Sequence, residues 1–193
     1  KYGKYPVCVV YHCTLWTDWE KPAEWMLASG IRADNSRVHV ASPPMNPINL
    51  LGFSFGTSYP YHIYDDYEGE NRRIDFLALP ITAYEPGYTR EKYTTDFPLI
   101  DRIIDMAVKY HLTMNMFFHT VCIRAYPACR ATIEEFLRYI QERNITARHM
   151  GNDELCRWWN HRSKSTISDI SITEEKIKFM AACNYPDGMI VKI

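Results

Sequence analysis

The sequence predicts an α/β fold in which strands and helices alternate. Three observations carry that reading. Short apolar, β-branched runs such as residues 5–11 (YPVCVVY) and 74–79 (IDFLAL) have the composition of buried strands. Between such runs stand segments whose apolar residues recur three and four apart, the spacing of one helix face. Strand–helix–strand order implies parallel pairing, because a parallel neighbour needs a crossover.

In chain order, the strand at 5–11 leads through Trp16 into a helix with Pro22 in its first turn and Gly30 beyond its end. Proline early and glycine late is the expected asymmetry of a helix. Residues 31–34 read as a short strand. Residues 41–73, with Pro43, Pro44, Pro47, Gly52, Gly56, Pro60 and Gly69 among many aromatics, read as a long ordered excursion with short strands. A strand at 74–79 stops at Pro80, and 81–96 reads as a polar loop carrying Tyr84, Tyr88 and Tyr93. Residues 97–110 form a helix with Ile100, Ile103, Ile104, Ala107 and Val108 on one face. Residues 112–118 form a strand ending at His119. Pro127 opens a helix to about residue 143, with Ile133, Phe136, Leu137 and Ile140 inward. A short strand follows at 145–149, then a helix at 153–162 capped by Asn152. Beyond residue 163 the pattern changes to strands at 167–172 and 176–182, a turn at 184–188 and a strand at 189–193.

The 193 residues hold 22 Lys+Arg against 23 Asp+Glu, and 47% are apolar. This is globular composition, unlike disorder or coiled coil. No apolar run reaches the roughly 20 residues of a membrane helix, so no membrane span is expected. A formal net charge of −1 gives no electrostatic case for a nucleic-acid partner. The six cysteines, at 8, 13, 122, 129, 156 and 183, form no C-x-x-C pair, which disfavours a zinc ribbon or redox motif. They read as free buried thiols, with one or two disulfides left open for an oxidising compartment. Asp65, Asp66 and Glu68 do not match the spacing of a calcium loop, and Ser54 and Ser58 do not stand in a G-x-S-x-G elbow.

Several residues stand where barrel chemistry gathers, at the C-terminal ends of strands. His119 and His12 each follow a strand, and imidazole transfers protons near neutrality. Asp34 follows another strand, and reads either as lining the same rim or as a residue that caps or orients its neighbours. Trp16, Tyr59, Tyr61 and Tyr84 present flat apolar faces on which a sugar ring can stack, or pack within their loops.

Residues 117–163, FFHTVCIRAYPACRATIEEFLRYIQERNITARHMGNDELCRWWNHRS, resemble the C-terminal part of polysaccharide deacetylases, carbohydrate esterase family 4. Leu155 to Arg162 (LCRWWNHR) resembles the helix that closes that barrel. His12-Cys13-x-x-Trp16, Gly30-Ile31-x-x-Asp34 and the glycine-containing stretch 52–61 resemble a large branch of the same family. The resemblance spans residues 5–163. It implies a partial distorted (β/α) barrel of the deacetylase type over 1–163, followed at 164–193 by the start of a β-strand accessory module.

The implied activity is metal-assisted removal of an acetyl group from a carbohydrate, with zinc the expected divalent metal. His119 corresponds to the late histidine that protonates the leaving group. The family's metal and base residues stand on early strands. This chain has no T-F-D-D-like strand, and none of its seven histidines, at 12, 39, 62, 111, 119, 149 and 161, are four apart. Metal and base are therefore expected on a missing N-terminal segment of the barrel, or absent altogether; that missing half or a partner chain is the expected partner, and no metal ligand is assigned here. The resemblance also implies an extracytoplasmic location. A catalytically inactive carbohydrate-binding barrel and a segment of a larger assembly remain the alternatives.

Overall fold

The computed structural model describes residues 6–38, 52–53, 56–67, 70–87 and 97–191. The N-terminal residues through Tyr5, much of the expected excursion (Pro43, Pro44, Pro47, Ser54, Glu68 and Gly69 included), Tyr88 and Tyr93 of the expected loop, and the last two residues lie outside them. The chain forms two compact units, 1–149 and 150–193.

In the first unit, β1 (Cys8–Val9), β2 (Ala33–Asp34) and β4 (Arg72–Ala78) run parallel, and β3 (Tyr61–Asp65) adds antiparallel to the outer edge of β4. The register pairs Cys8 with Ala33 and Ala33 with Leu77. Beyond β4 the chain continues along the same direction. Ile81 bridges Val38 in parallel, and Ala83–Tyr84 forms β5 against β6 (Met116–Phe117). Asn115 ties the two sheets together: its Nδ2 donates to Asn35 Oδ1 at 2.6 Å and to the Pro80 carbonyl at 3.1 Å. Among the described residues these strands make a four-stranded sheet and a two-stranded one, and they do not close into a barrel. The fold is mixed α/β.

Two cores hold this unit. Helix α1 (Lys21–Ala28) has Pro22 in its first turn, ends before Gly30 at φ 85°, and buries Ala23 and Met26 against Ile63, Ile74 and Phe76. Full burial of a side chain such as Phe76 stabilises by about 1.5–3 kcal/mol. Helices α2 (Phe97–Tyr110) and α4 (Pro127–Glu142) enclose the second core, where Ile100, Ile103 and Ile104 meet Met116, Phe136 and Ile140. Both helices end alike. His111 and Asn144 take φ of 55° and 50°, and the N–H one residue on closes to Ala107 O and Ile140 O. This is the left-handed helix stop, here without glycine.

Several expectations need correction. Residues 83–84, expected in a polar loop, are β5, because their backbone finds a partner in β6. Residues 120–125, placed in no element by the sequence, form helix α3 (Thr120–Ala125). Residues 145–149 are not a strand; Ile145 packs into the core between α2 and α4. Leu137 and Val108 are exposed, since each lies off the buried stripe of its helix.

The second unit holds α5 (Asn152–Ser163) and an antiparallel hairpin of β7 (Thr166–Ile172) and β8 (Ile177–Ala182). The expected division fell at 163/164, whereas α5 groups with this hairpin. Gly151, with extended backbone, occupies the cap position expected of Asn152, which instead begins the helix. Cys156 is buried, Trp158 lies 5.8 Å from Trp159, and Arg162 covers Trp159 at 4.7 Å. The turn at 184–188 forms, with Gly188 N–H donating to Tyr185 O, but 189–191 make no strand. No helix among the described residues is long and apolar enough to cross a membrane.

Candidate functional site

Strands β5 and β6 run parallel in register, Ala83 with Met116 and Tyr84 with Phe117. Their next residues therefore emerge side by side at the C-terminal end. On β5 that brings Glu85, and just beyond β6 it brings His119. One carboxylate oxygen, Glu85 Oε1, accepts both the His119 backbone N–H and the ring Nδ1, each at 2.8 Å. The Cys122 thiol, three residues on in α3, hydrogen-bonds to the same carboxylate. Residues three apart on a helix share a face, so the start of α3 turns both His119 and Cys122 toward Glu85.

The loop carrying Glu85 is locked from the other side. Gly87 takes φ 94°, and a Cβ there would stand 2.6 Å from the backbone carbonyl of Ala128 in α4. Only glycine permits that approach. The Glu85 side chain is 5% exposed while that of His119 is 48% exposed. The carboxylate is thus held inside and the imidazole presents an edge to solvent.

Electrostatics follow from the packing. Burial alone would push the Glu85 carboxyl up, but the Cys122 thiol, the His119 backbone N–H and the His119 ring together hold it below its ordinary value. An ionised Glu85 accepts only, so His119 carries its proton on Nδ1. Burial, with Glu85 beside it, pushes the Cys122 thiol up to about 12, and Cys129 is pushed up to about 11 by burial and then by the same carboxylate. Neither thiol is a nucleophile in this state.

Glu85, His119 and Cys122 each offer one donor atom within 4.8 Å of the others. Carboxylate, imidazole and thiol are the donor types of zinc centres, and three protein ligands with an open position suit a catalytic ion. The residues present therefore fit a divalent metal. Without one, the arrangement is an imidazole oriented by a buried carboxylate, able to exchange a proton through its exposed edge.

Of the residues singled out in the sequence, Tyr84 joins His119 here. Its ring stacks on Phe117 at 5.0 Å, and Phe117 meets the His119 ring edge-on at 5.2 Å. Three others gather at the ends of β1, β2 and β4. Asp34 is fully buried and accepts Ser36 Oγ at 2.7 Å and Ser36 N–H at 2.9 Å. Burial raises its carboxyl, against the Ser36 hydrogen bonds and the Arg37 charge. Arg37 lies 4.3 Å over Trp16, which also packs on Phe76. Tyr61, opposite Ala78, is half-buried; burial raises its phenol, Arg37 lowers it, and Asp34 raises it. These residues form a packed polar junction.

His12 stands exposed in a 3-10 turn, His12–Thr14, after β1. Tyr59 donates to the Tyr110 carbonyl at 2.8 Å beside Thr113, at the opposite end of the β6 segment from His119. Sequence reasoning missed Glu85 and Cys122. The available signals were a carboxylate directly after an apolar run and before Pro86-Gly87, and the His-x-x-Cys spacing at 119–122. Among the described residues the cysteines form no disulfide. Compared with protein-family models, curated proteins and solved structures, the chain matches none.

Proposed function

We propose that this chain is part of a polysaccharide-deacetylase-like hydrolase that removes acetyl groups from a carbohydrate, and that Glu85, His119 and Cys122 mark its reacting end. The single observation that carries the reading is the Glu85–His119 pair at the C-terminal ends of two parallel strands, the end at which barrel enzymes react. In this reading β1, β2, β4, β5 and β6 are strands of a distorted, incomplete (β/α) barrel. The remaining strands and the catalytic base come from a further segment or a partner chain.

Glu85 fixes the tautomer and direction of the His119 ring, so the exposed edge meets substrate without a search over rotamers. The Tyr84–Phe117 stack forms an apolar wall beside it, suited to one face of a pyranose ring. A divalent metal, when bound, polarises the acetyl carbonyl and supplies an activated water.

The test is acetate release from acetylated glycans by the natural full-length protein, with glycan retention measured on the same sample. The reading expects release that falls by about 10²–10⁴-fold in His119→Ala and that also falls in Glu85→Gln. Full activity in His119→Ala would sink it. Glycan retention with no acetate release is the outcome expected of an inactive carbohydrate-binding barrel.

A further inference from the structure

We propose that Glu85, His119 and Cys122 bind one zinc ion, leaving a fourth position to water. The inference deepens the hydrolase reading by placing its cofactor on this chain, and it rests on that reading only for what the ion does, not for its binding. The resemblance puts the metal on an acidic residue and paired histidines elsewhere. The donor set here is different and lies just past β5, just past β6 and in α3.

Four observations support the site. The three donor atoms already lie within 4.8 Å of one another. The carboxylate is buried on a loop that Gly87 locks against the Ala128 backbone, so it needs no rearrangement. The imidazole is the exposed member, which leaves a path for the ion and an open side for water. A thiol joins the set, and sulfur with imidazole selects zinc over magnesium or calcium, which prefer oxygen alone.

Binding exchanges protons for metal. The Cys122 thiol gives its proton to solvent and binds through sulfur. The His119 proton moves through solvent from Nδ1 to the exposed Nε2, and the ring binds through Nδ1 as neutral imidazole, in place of its hydrogen bond to Glu85. Glu85 Oε1 retains the His119 backbone N–H as an outer partner. His119 is then a ligand through Nδ1, and its exposed edge still carries a proton, on Nε2, where the hydrolase reading puts the substrate.

The experiment titrates the chelator-treated full chain with cobalt(II) and with zinc(II). The native chain is expected to bind one ion, to show a thiolate-to-cobalt charge-transfer band, and to unfold at a higher temperature with zinc. Cys122→Ser is expected to lose the band and the thermal shift, and to bind more weakly by more than the roughly 10–100-fold that losing an outer partner costs. Circular dichroism of the metal-free variant establishes that it is folded. Glu85→Gln is expected to weaken binding as well, which keeps the test open should Cys122→Ser not fold. No band and no thermal shift in the native chain would overturn the proposal. So would a folded Cys122→Ser that binds as tightly as the native chain. Stoichiometric metal without acetate release would overturn the hydrolase reading and leave the zinc site standing.

Discussion

Glu85 and His119, 34 residues apart, share one oxygen: Oε1 of the buried carboxylate accepts both the backbone N–H and the ring Nδ1 of the histidine at 2.8 Å. The carboxylate therefore does two structural jobs, fixing a ring and anchoring the chain where α3 begins.

Removing it should loosen both. Glu85→Ala leaves the His119 N–H and the Cys122 thiol without their acceptor, and a lost partner for buried polar groups costs about 1–3 kcal/mol. Urea unfolding should show a lower midpoint for Glu85→Ala than for Glu85→Gln, which retains an acceptor oxygen. Equal midpoints would show that these hydrogen bonds do not hold α3.

Two glycines with similar backbone angles separate conformation from space. Gly30 has φ 85° with nothing within 4 Å of an added Cβ, whereas Gly87 has φ 94° and meets the Ala128 carbonyl at 2.6 Å. Gly30→Ala should cost about 1–2 kcal/mol for the left-handed backbone. Gly87→Ala should cost that and about 1–3 kcal/mol more for the forced shift against α4. Thermal unfolding of the two variants reads the difference directly, and a Gly87→Ala no worse than Gly30→Ala would refute the close packing.

Asn115 is the polar tie between the larger sheet and β6. Asn115→Ala deprives Asn35 Oδ1 and the Pro80 carbonyl of a donor, and Asn35 is buried. A loss of about 1–3 kcal/mol is expected, measured as a lower denaturant midpoint with an unchanged slope.

Asp34 sets a pH dependence. Burial raises its carboxyl in the folded chain, against hydrogen bonds from Ser36 and the charge of Arg37. A raised carboxyl means the folded state holds its proton more tightly than the unfolded state. Its contribution is therefore most favourable below the ordinary aspartate range. It declines as pH rises through that range to the raised folded value, and is level above it. Asp34→Asn should flatten that decline. Urea midpoints measured across a pH series in both proteins check this; parallel profiles would remove Asp34 as the source.

The bounds of helix α2 were legible, because Ile100, Ile103, Ile104 and Ala107 repeat at helical spacing and all four are buried, while Val108, read on the same face, is exposed. The turns at Gly30 and Gly188 were legible from glycine's freedom at positive φ. Helix α3 was not. Its six residues, TVCIRA, include β-branched side chains and follow an apparent strand. Its start is held by a carboxylate from another part of the chain. His119 and Tyr84 stood out as chemistry at strand ends, but Glu85 read as one acid in a polar loop and Cys122 as one more buried thiol.

What this sequence determined by itself is what neighbouring residues encode: the strand–helix alternation, the apolar face of α2, the start and stop of α1 at Pro22 and Gly30, and the two strands of the second unit. Periodicity and turn chemistry act over a few residues, so they are readable in order. The tertiary structure alone decided that Glu85, His119 and Cys122 form one cluster. Their meeting depends on the parallel register of β5 with β6 and on the approach of Gly87 to α4. A carboxylate stays ionised in that interior only because partners 34 and 37 positions away in the chain are folded onto it.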